Sequence, residues 1–322
     1  MARFLILFAA FCLGGSLQAQ PVSQAGIHQT SRHHLLSSLD IPMPPGLDYV
    51  LGLHLASAPA SLAESVLSLS TTSEVYSLTI ARPFFVKVLR SDDWVEGIEE
   101  TSSVISDPVH PDTAFLYSTF FAFAPAVVSV AIAPPNRIVA HPIPDTTVRG
   151  LLAGDSFGAL YVYCPDGSGI RKFEYQNSNF TSPVFTTATS GPGAVTNASR
   201  GFAVARGVIY LLDPARQTVF RYDANTGKHL GHFGVTGAKG ASAIAVSDFG
   251  RLYLTTGNGG GNIYRAPTGA PLGTFAARAN ANAATYQGID GIVIDNLNGI
   301  FYAADVATGV HVFHDPALHV HY

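Results

Sequence analysis

Four short runs share one pattern of apolar and polar positions: "GALY" ending at Tyr161, "GVIY" at Tyr210, "GRLY" at Tyr253 and "GIFY" at Tyr302. In each, a glycine stands three residues before the tyrosine (Gly158, Gly207, Gly250, Gly299), and an apolar residue stands directly before it. The tyrosines are 49, 43 and 49 residues apart. An apolar run precedes each of the last three glycines: 201–205, 244–246 and 292–294. The intervening "ARG", "SDFG" and "DNLNG", like "DSFG" earlier in the chain, have turn chemistry, with glycine supplying the positive φ that tight hairpins need. A third stretch with strand-like patterning follows each tyrosine: "IRKFEY", "VFRYDA", "NIYRAP" and "VHVFHD". Two units add a fourth, "TGKHLGHF" and "TGAPLGTF".

Four strands in 43–49 residues is the size of a propeller blade. No stretch keeps the i, i+3, i+4 apolar spacing that an α-helical repeat requires. Upstream, "SVLSLS", "VYSLTI", "FFVKVL", "AVVSVAI" and "RIVAHPI" also read as strands. Tyr117 and Tyr76 continue the tyrosine series at spacings of 44 and 41, with Ala114 and Ser73 in place of the glycines. The expected fold is all-β: a six-bladed β-propeller of four-stranded antiparallel blades around a central channel, with seven blades the alternative count. "YVLGLHLA" is expected as the inner strand of the first blade, and the C-terminal "ALHVHY" as the outer strand of the last. The ring would then close by packing rather than by an exchanged strand.

The chain's start changes the domain picture. "MARFLILFAAFCLGGSLQAQ" has a basic residue, an apolar run and then small residues, the pattern of a secretory signal. Cleavage is expected after Ala19 or Ala25, and the apolar run is too short to span a bilayer. The expected organisation is a signal at 1–19, an irregular leader at 20–45 and one propeller domain at 46–322. Loss of the signal takes Cys12 with it and leaves Cys164 alone, so no intrachain disulfide is available. The sequons at Asn179 ("NFT") and Asn197 ("NAS") are candidate glycosylation sites in a secreted chain. Charged residues make up 12% and the net charge is −4, so nucleic acid is excluded as an electrostatic partner.

"GIDGIVIDNLNGIFYAAD" (288–305) resembles a blade of the six-bladed senescence marker protein/gluconolactonase group, in the TolB-like superfamily. The blades are also similar to NHL repeats, whose pattern is an apolar strand, "D..G.LYV.D" and then "..V..FD". The resemblance covers about residues 149 to 315. In the gluconolactonase group the Asp of "PDG" holds a divalent metal at the channel mouth, and Asp290 is its counterpart here. The group's Glu ligand on the first inner strand has no counterpart in "YVLGLHL", and its Asn ligand in an earlier blade has none either.

Aligned on the first apolar residue of each inner strand, Arg149, Arg200, Ser242 and Asp290 share one position and would ring the channel mouth. Two arginines beside one carboxylate favour an anionic ligand, because planar guanidinium groups bind carboxylate, sulfate or phosphate in bidentate fashion. A structural pairing of Arg200 with Asp290 is the competing reading. Through Asp290, Ca2+ or another divalent metal is the candidate cofactor, although one carboxylate supplies few of the ligands such an ion needs. His319 and His321 share one strand face, while His311 and His314 lie on opposite faces. No G-x-S-x-G elbow or HExxH motif is present, so no catalytic residue is assigned. Trp94 stands in an acidic loop, and "GNGGGN" reads as a hairpin tip rather than a phosphate loop. The expected function is a secreted binding or scaffold module that recognises a small anionic ligand or a protein partner at one face. The alternative is a metal-dependent lactonase or arylesterase.

Overall fold

A computed structural model describes residues 33–37, 39–41, 52–56, 66–70, 74–79, 82–90, 101–106, 113–121, 124–131, 138–142, 151–155, 159–164, 169–174, 179–180, 201–238, 241, 243–256, 260–276, 289–305 and 309–318. Residues from Arg32 to Tyr322 belong to one compact unit. The described chain is all-β, with one 3-10 turn (Pro316–Leu318) and no α-helix.

Two short strands come first, β1 (His33–Leu36) and β2 (Leu39–Ile41). Sheet I follows, with β3 (Gly52–Ala56), β4 (Val66–Ser70), β5 (Glu74–Thr79) and β6 (Arg82–Arg90). Sheet II holds β7 (Thr101–Ser106), β8 (Thr113–Phe121), β9 (Ala124–Ala131) and β10 (Ile138–Pro142). Sheet III holds β11 (Leu151–Gly154), β12 (Leu160–Cys164), β13 (Gly169–Glu174) and β14 (Asn179–Phe180). Sheet IV holds β15 (Gly201–Ala205), β16 (Val208–Asp213), β17 (Thr218–Asp223) and β18 (His229–Gly234). Sheet V holds β19 (Ile244–Val246), β20 (Arg251–Thr256), β21 (Gly260–Arg265) and β22 (Ala270–Ala276), and β1 is its fifth strand. Sheet VI holds β23 (Ile289–Asp295), β24 (Ile300–Asp305) and β25 (Gly309–His314), and β2 is its fourth. Strands consecutive in sequence pair antiparallel within each sheet.

The first strand of each sheet packs beside the first strand of the next, from β3 through β7, β11, β15 and β19 to β23. β23 in turn packs beside β3, so the series returns to its start. At one such junction a Cβ on Gly201 would lie 2.6 Å from Ile244 Cγ2, so the bare glycine lets β15 and β19 approach. Burial changes outward across sheet IV. All five residues of β15 are buried, whereas β18 alternates between partly covered and exposed positions before Phe233. Among the described residues, apolar cores fill the spaces between neighbouring sheets from III to VI. Tyr161, Tyr163, Phe202, Leu211 and Phe220 lie between sheets III and IV. Leu212, Val219, Phe233, Leu252 and Tyr264 lie between IV and V.

The repeated tyrosines Tyr161, Tyr210, Tyr253 and Tyr302 sit on β12, β16, β20 and β24, the second strands of sheets III to VI. Tyr117 on β8 keeps that place in sheet II. The hairpins before these strands are built as their sequence implies. Arg206 and Gly207 both have positive φ, at 51° and 72°, which fits a two-residue turn. Gly250 and Gly299 close the longer turns with φ of 74° and 68°. The side chain that opens each longer turn accepts backbone N–H bonds. Asp155 Oδ1 takes Ala159 N at 2.9 Å, Ser247 Oγ takes Arg251 N at 3.1 Å, and Asp295 Oδ1 takes Leu297 N at 3.1 Å. These turns satisfy polar groups beside a packed sheet and fix its register.

Three expectations fail. Tyr76 lies on β5, the third strand of sheet I, so spacing without the hairpin glycine misplaced it by one strand. The 20–45 leader is not wholly irregular, because it supplies β1 and β2. "ALHVHY" is not the outer strand of the last sheet. Ala317 and Leu318 turn in the 3-10 element, 319–322 lie outside the described residues, and β2 takes the place beside β25. An N-terminal strand, rather than the C-terminal segment, therefore completes sheet VI.

"GNGGGN" spans 257–262; its last three residues belong to β21, and 257–259 lie outside the described residues. Gly261 is a close-approach glycine, since a Cβ there would run into the Leu254 carbonyl oxygen and the Phe275 ring. The backbone oxygen cannot swing away as a flexible side chain would. Gly261→Ala is expected to destabilise the fold by about 1–3 kcal/mol, read as a lower urea midpoint at unchanged slope.

Candidate functional site

The candidate site lies where the first strands begin. Asp290 is the second residue of β23. The β23–β24 ladder shifts between Ile289 and Gly291, so Asp290 is the extra residue of a β-bulge. Bulges interrupt strand alternation and are over-represented beside active sites. Arg149, Arg200 and Ser242 lie outside the described residues, as do Asn197 and Trp94. Asn179 opens β14 and Cys164 ends β12.

The strand register tests the alignment of the four positions. Ala153, Ala203, Ala245 and Val293 are equivalent, because they pair with Tyr161, Tyr210, Tyr253 and Tyr302. Counting back three residues gives Gly150, Arg200 and Ser242 in the first three, whereas in β23 the bulge leaves Ile289, not Asp290, opposite Asp305, three residues past Tyr302. Arg149 is thus one position out of line. The first apolar residue is a poor marker in sheet III, because Leu151 adds an apolar position there. A one-residue offset changes the face a strand residue addresses. By count Arg200 and Ser242 stay in line, and the bulge sets Asp290 off that position.

Among the described residues, no group of three or more His, Cys, Asp or Glu side chains is placed to hold a metal. Two buried carboxylates have structural partners. Asp213 forms an ion pair with Arg216 at 3.5 Å and accepts its backbone N–H at 3.1 Å. Asp315, also buried, links sheets V and VI: it accepts from the Tyr253 hydroxyl at 2.7 Å and pairs with Arg251 Nε at 3.0 Å. Burial, then the charge of Asp315, pushes the Tyr253 phenol far above its ordinary range. Burial, followed by Asp155 and Asp223, raises Tyr161 to about 12. Neither phenol ionises near neutral pH.

One cluster was not anticipated from sequence. His229 and His232 on β18 stack with centroids 6.1 Å apart, against Phe220 and Tyr222 of β17. Burial, then the neighbouring His232 and Arg221, holds the His229 imidazole below its ordinary pKa. The signal was the i, i+3 pair in "HLGHF"; alternation would separate the two rings, and the ladder shift between Arg221 and Tyr222 brings them together. In "HVFHD", His311 is buried and His314 exposed, as opposite faces require. His319 and His321 lie outside the described residues.

No family model matches the chain, and no curated protein matches it in sequence. The reading of the site accordingly rests on its own residues.

Proposed function

We propose that this chain is a six-bladed β-propeller acting as a secreted binding module, with a small anionic ligand held where the first strands begin. The observation that carries the reading is the returning series of first strands: six sheets, each led by a strand beside the next, with β23 again beside β3. In a ring of this kind the starts of the first strands converge on one mouth of the channel. Arg200 directly precedes the first strand β15, Ser242 precedes the lead-in to β19, and Asp290 is the bulge residue at the start of β23, the next first strand in the series. Arg200 supplies the fork for a carboxylate or phosphate, and Ser242 a neutral donor. Arg149, one residue further from its strand, serves as an outer contact. The N-terminal apolar run supports export.

The test is a thermal melt of the purified protein with citrate, sulfate or phosphate, and separately with EDTA, Ca2+ and Zn2+. A ligand of the native state raises the midpoint by mass action. A polyvalent anion is expected to raise it by several degrees, and Arg200→Ala to abolish the rise. If no anion shifts the melt, the binding reading fails. A rise with Ca2+ or Zn2+ that Asp290→Asn removes would favour the metal-dependent hydrolase instead.

A further inference from the structure

The outer strand of sheet IV carries the histidine pair. Among the described strands β18 pairs only with β17, whereas β22, its counterpart in sheet V, is covered by β1. The two outer ladders are otherwise alike. Each shifts at the same place, between Arg221 and Tyr222 in sheet IV and between Ile263 and Tyr264 in sheet V. By that register Pro271 and Thr274 stand in β22 where His229 and His232 stand in β18. The pair is therefore an addition to a repeated strand, not a requirement of it.

The His229 ring is set for its neutral form. It stacks on His232 with ring planes 17° apart, and its centroid lies 6.3 Å from Phe220 and 5.5 Å from Tyr222. Its Nε2 is buried and has no hydrogen-bond partner. A proton there would create a buried, charged N–H with no acceptor, which is costly. The surrounding charges offer no relief. Arg221 of β17 donates Nη2 to the Leu230 carbonyl at 3.1 Å and Nη1 to the Pro267 carbonyl of sheet V, so its cation is fixed beside the pair. Lys228 directly precedes His229. Asp213 is paired with Arg216, and Asp223 Oδ1 accepts the N–H groups of Asn225 and Thr226. On the side of sheet III, Tyr163 shares the core with Tyr222, and Lys172 lies over the Tyr161 ring.

We propose that His229 is an acid-release latch: when the pH falls below neutral, β18 opens from β17, because only the open strand lets this imidazole take up a proton in water. Opening bares the β17 edge and the Phe220 and Tyr222 rings, the kind of edge that pairs readily with another strand. Burial, then His232 and Arg221, hold the folded ring below its ordinary value of 6.5, against a backbone hydrogen bond at Gly231 that acts in the opposite sense. The open strand therefore binds more protons than the closed one. Closure weakens as the pH falls through 6.5 and stops weakening below the folded ring's own pKa. The latch is independent of any ligand at the first-strand ends.

The test is amide hydrogen exchange of the full chain between about pH 7.5 and about pH 5, with each rate divided by its intrinsic value. The opening constant of the β18 amides should rise several-fold over that range, and by no more than about tenfold per pH unit for one proton. At the acid end it should exceed that of the β15 amides, so that the strand is released and not the whole chain. His229→Leu should leave β18 indifferent to pH over the same range. β18 opening constants that do not change with pH overturn the proposal. So does a pH dependence that persists unchanged in His229→Leu, or a β18 that opens no more often than β15. If the variant does not fold, nuclear magnetic resonance titration of the His229 ring in the unmodified chain decides, and a midpoint at or above 6.5 overturns the latch.

Discussion

Asp315→Ala is expected to lower the free energy of unfolding by about 3 kcal/mol or more. Asp315 takes the place of Ala224 and Ala266 in sheets IV and V. The N–H of each of the three bonds the carbonyl of the turn glycine: Ala224 to Gly207 at 2.8 Å, Ala266 to Gly250 at 2.8 Å and Asp315 to Gly299 at 3.0 Å. A small apolar residue therefore fits this position, and alanine itself introduces no strain. The loss comes from what the carboxylate leaves behind. Arg251, whose side chain is 13% exposed, would keep its charge without its 3.0 Å partner, and the buried Tyr253 hydroxyl would lose its acceptor. Removing one member of a buried pair costs more than removing both. The double variant Arg251→Ala/Asp315→Ala should accordingly lose less than the sum of the single losses. Equilibrium denaturation of the three variants reads both quantities. Simple additivity would contradict the coupling.

Phe301→Ala is expected to cost about 3–5 kcal/mol, the range for emptying a fully buried aromatic site. Phe301 on β24 stacks on Phe313 of β25 at 4.6 Å and 6°. It meets Phe275 of β22 edge-on at 5.0 Å, and the Tyr253 ring of β20 lies 4.5 Å away. These contacts join sheets V and VI in the same core that receives Leu35 of β1. Truncation would leave a cavity that three other rings cannot fill without leaving their own sheets. Phe301→Leu retains much of the volume and should lose clearly less. A loss below 1 kcal/mol for Phe301→Ala would mean that these sheets do not share a packed core there.

The regular half of the fold was legible because each unit writes its register twice. The glycine fixes the turn, and the tyrosine three residues later lands on the second strand in sheets III to VI. Where the glycine is missing, spacing alone was a weaker guide. It placed Tyr117 correctly but set Tyr76 on a second strand, whereas Tyr76 lies on the third strand of sheet I. β1 and β2 were illegible for a different reason. "HHLL" and "LDI" are too short to display alternation, and their partners lie far along the chain; His34 Nδ1 bonds Thr274 Oγ1, a separation of 240 residues. The misalignment of Arg149 arose from marking strands by their first apolar residue, whereas register is set by pairing. Asp315 was hidden because "VFHD" reads as an ordinary strand end. Its identity matters only through Tyr253, on the neighbouring sheet.

The N-terminal strand β2 should complete the last sheet in solution as it does in the structure. In perdeuterated protein, amide nuclear Overhauser contacts between Leu39–Ile41 and Val310–Val312 read that pairing. The expected cross-peaks follow the register that sets Leu39 against Val312 and Ile41 against Val310. Cross-peaks from β25 to residues 319–322 instead would contradict completion of the last sheet by the N-terminal strand.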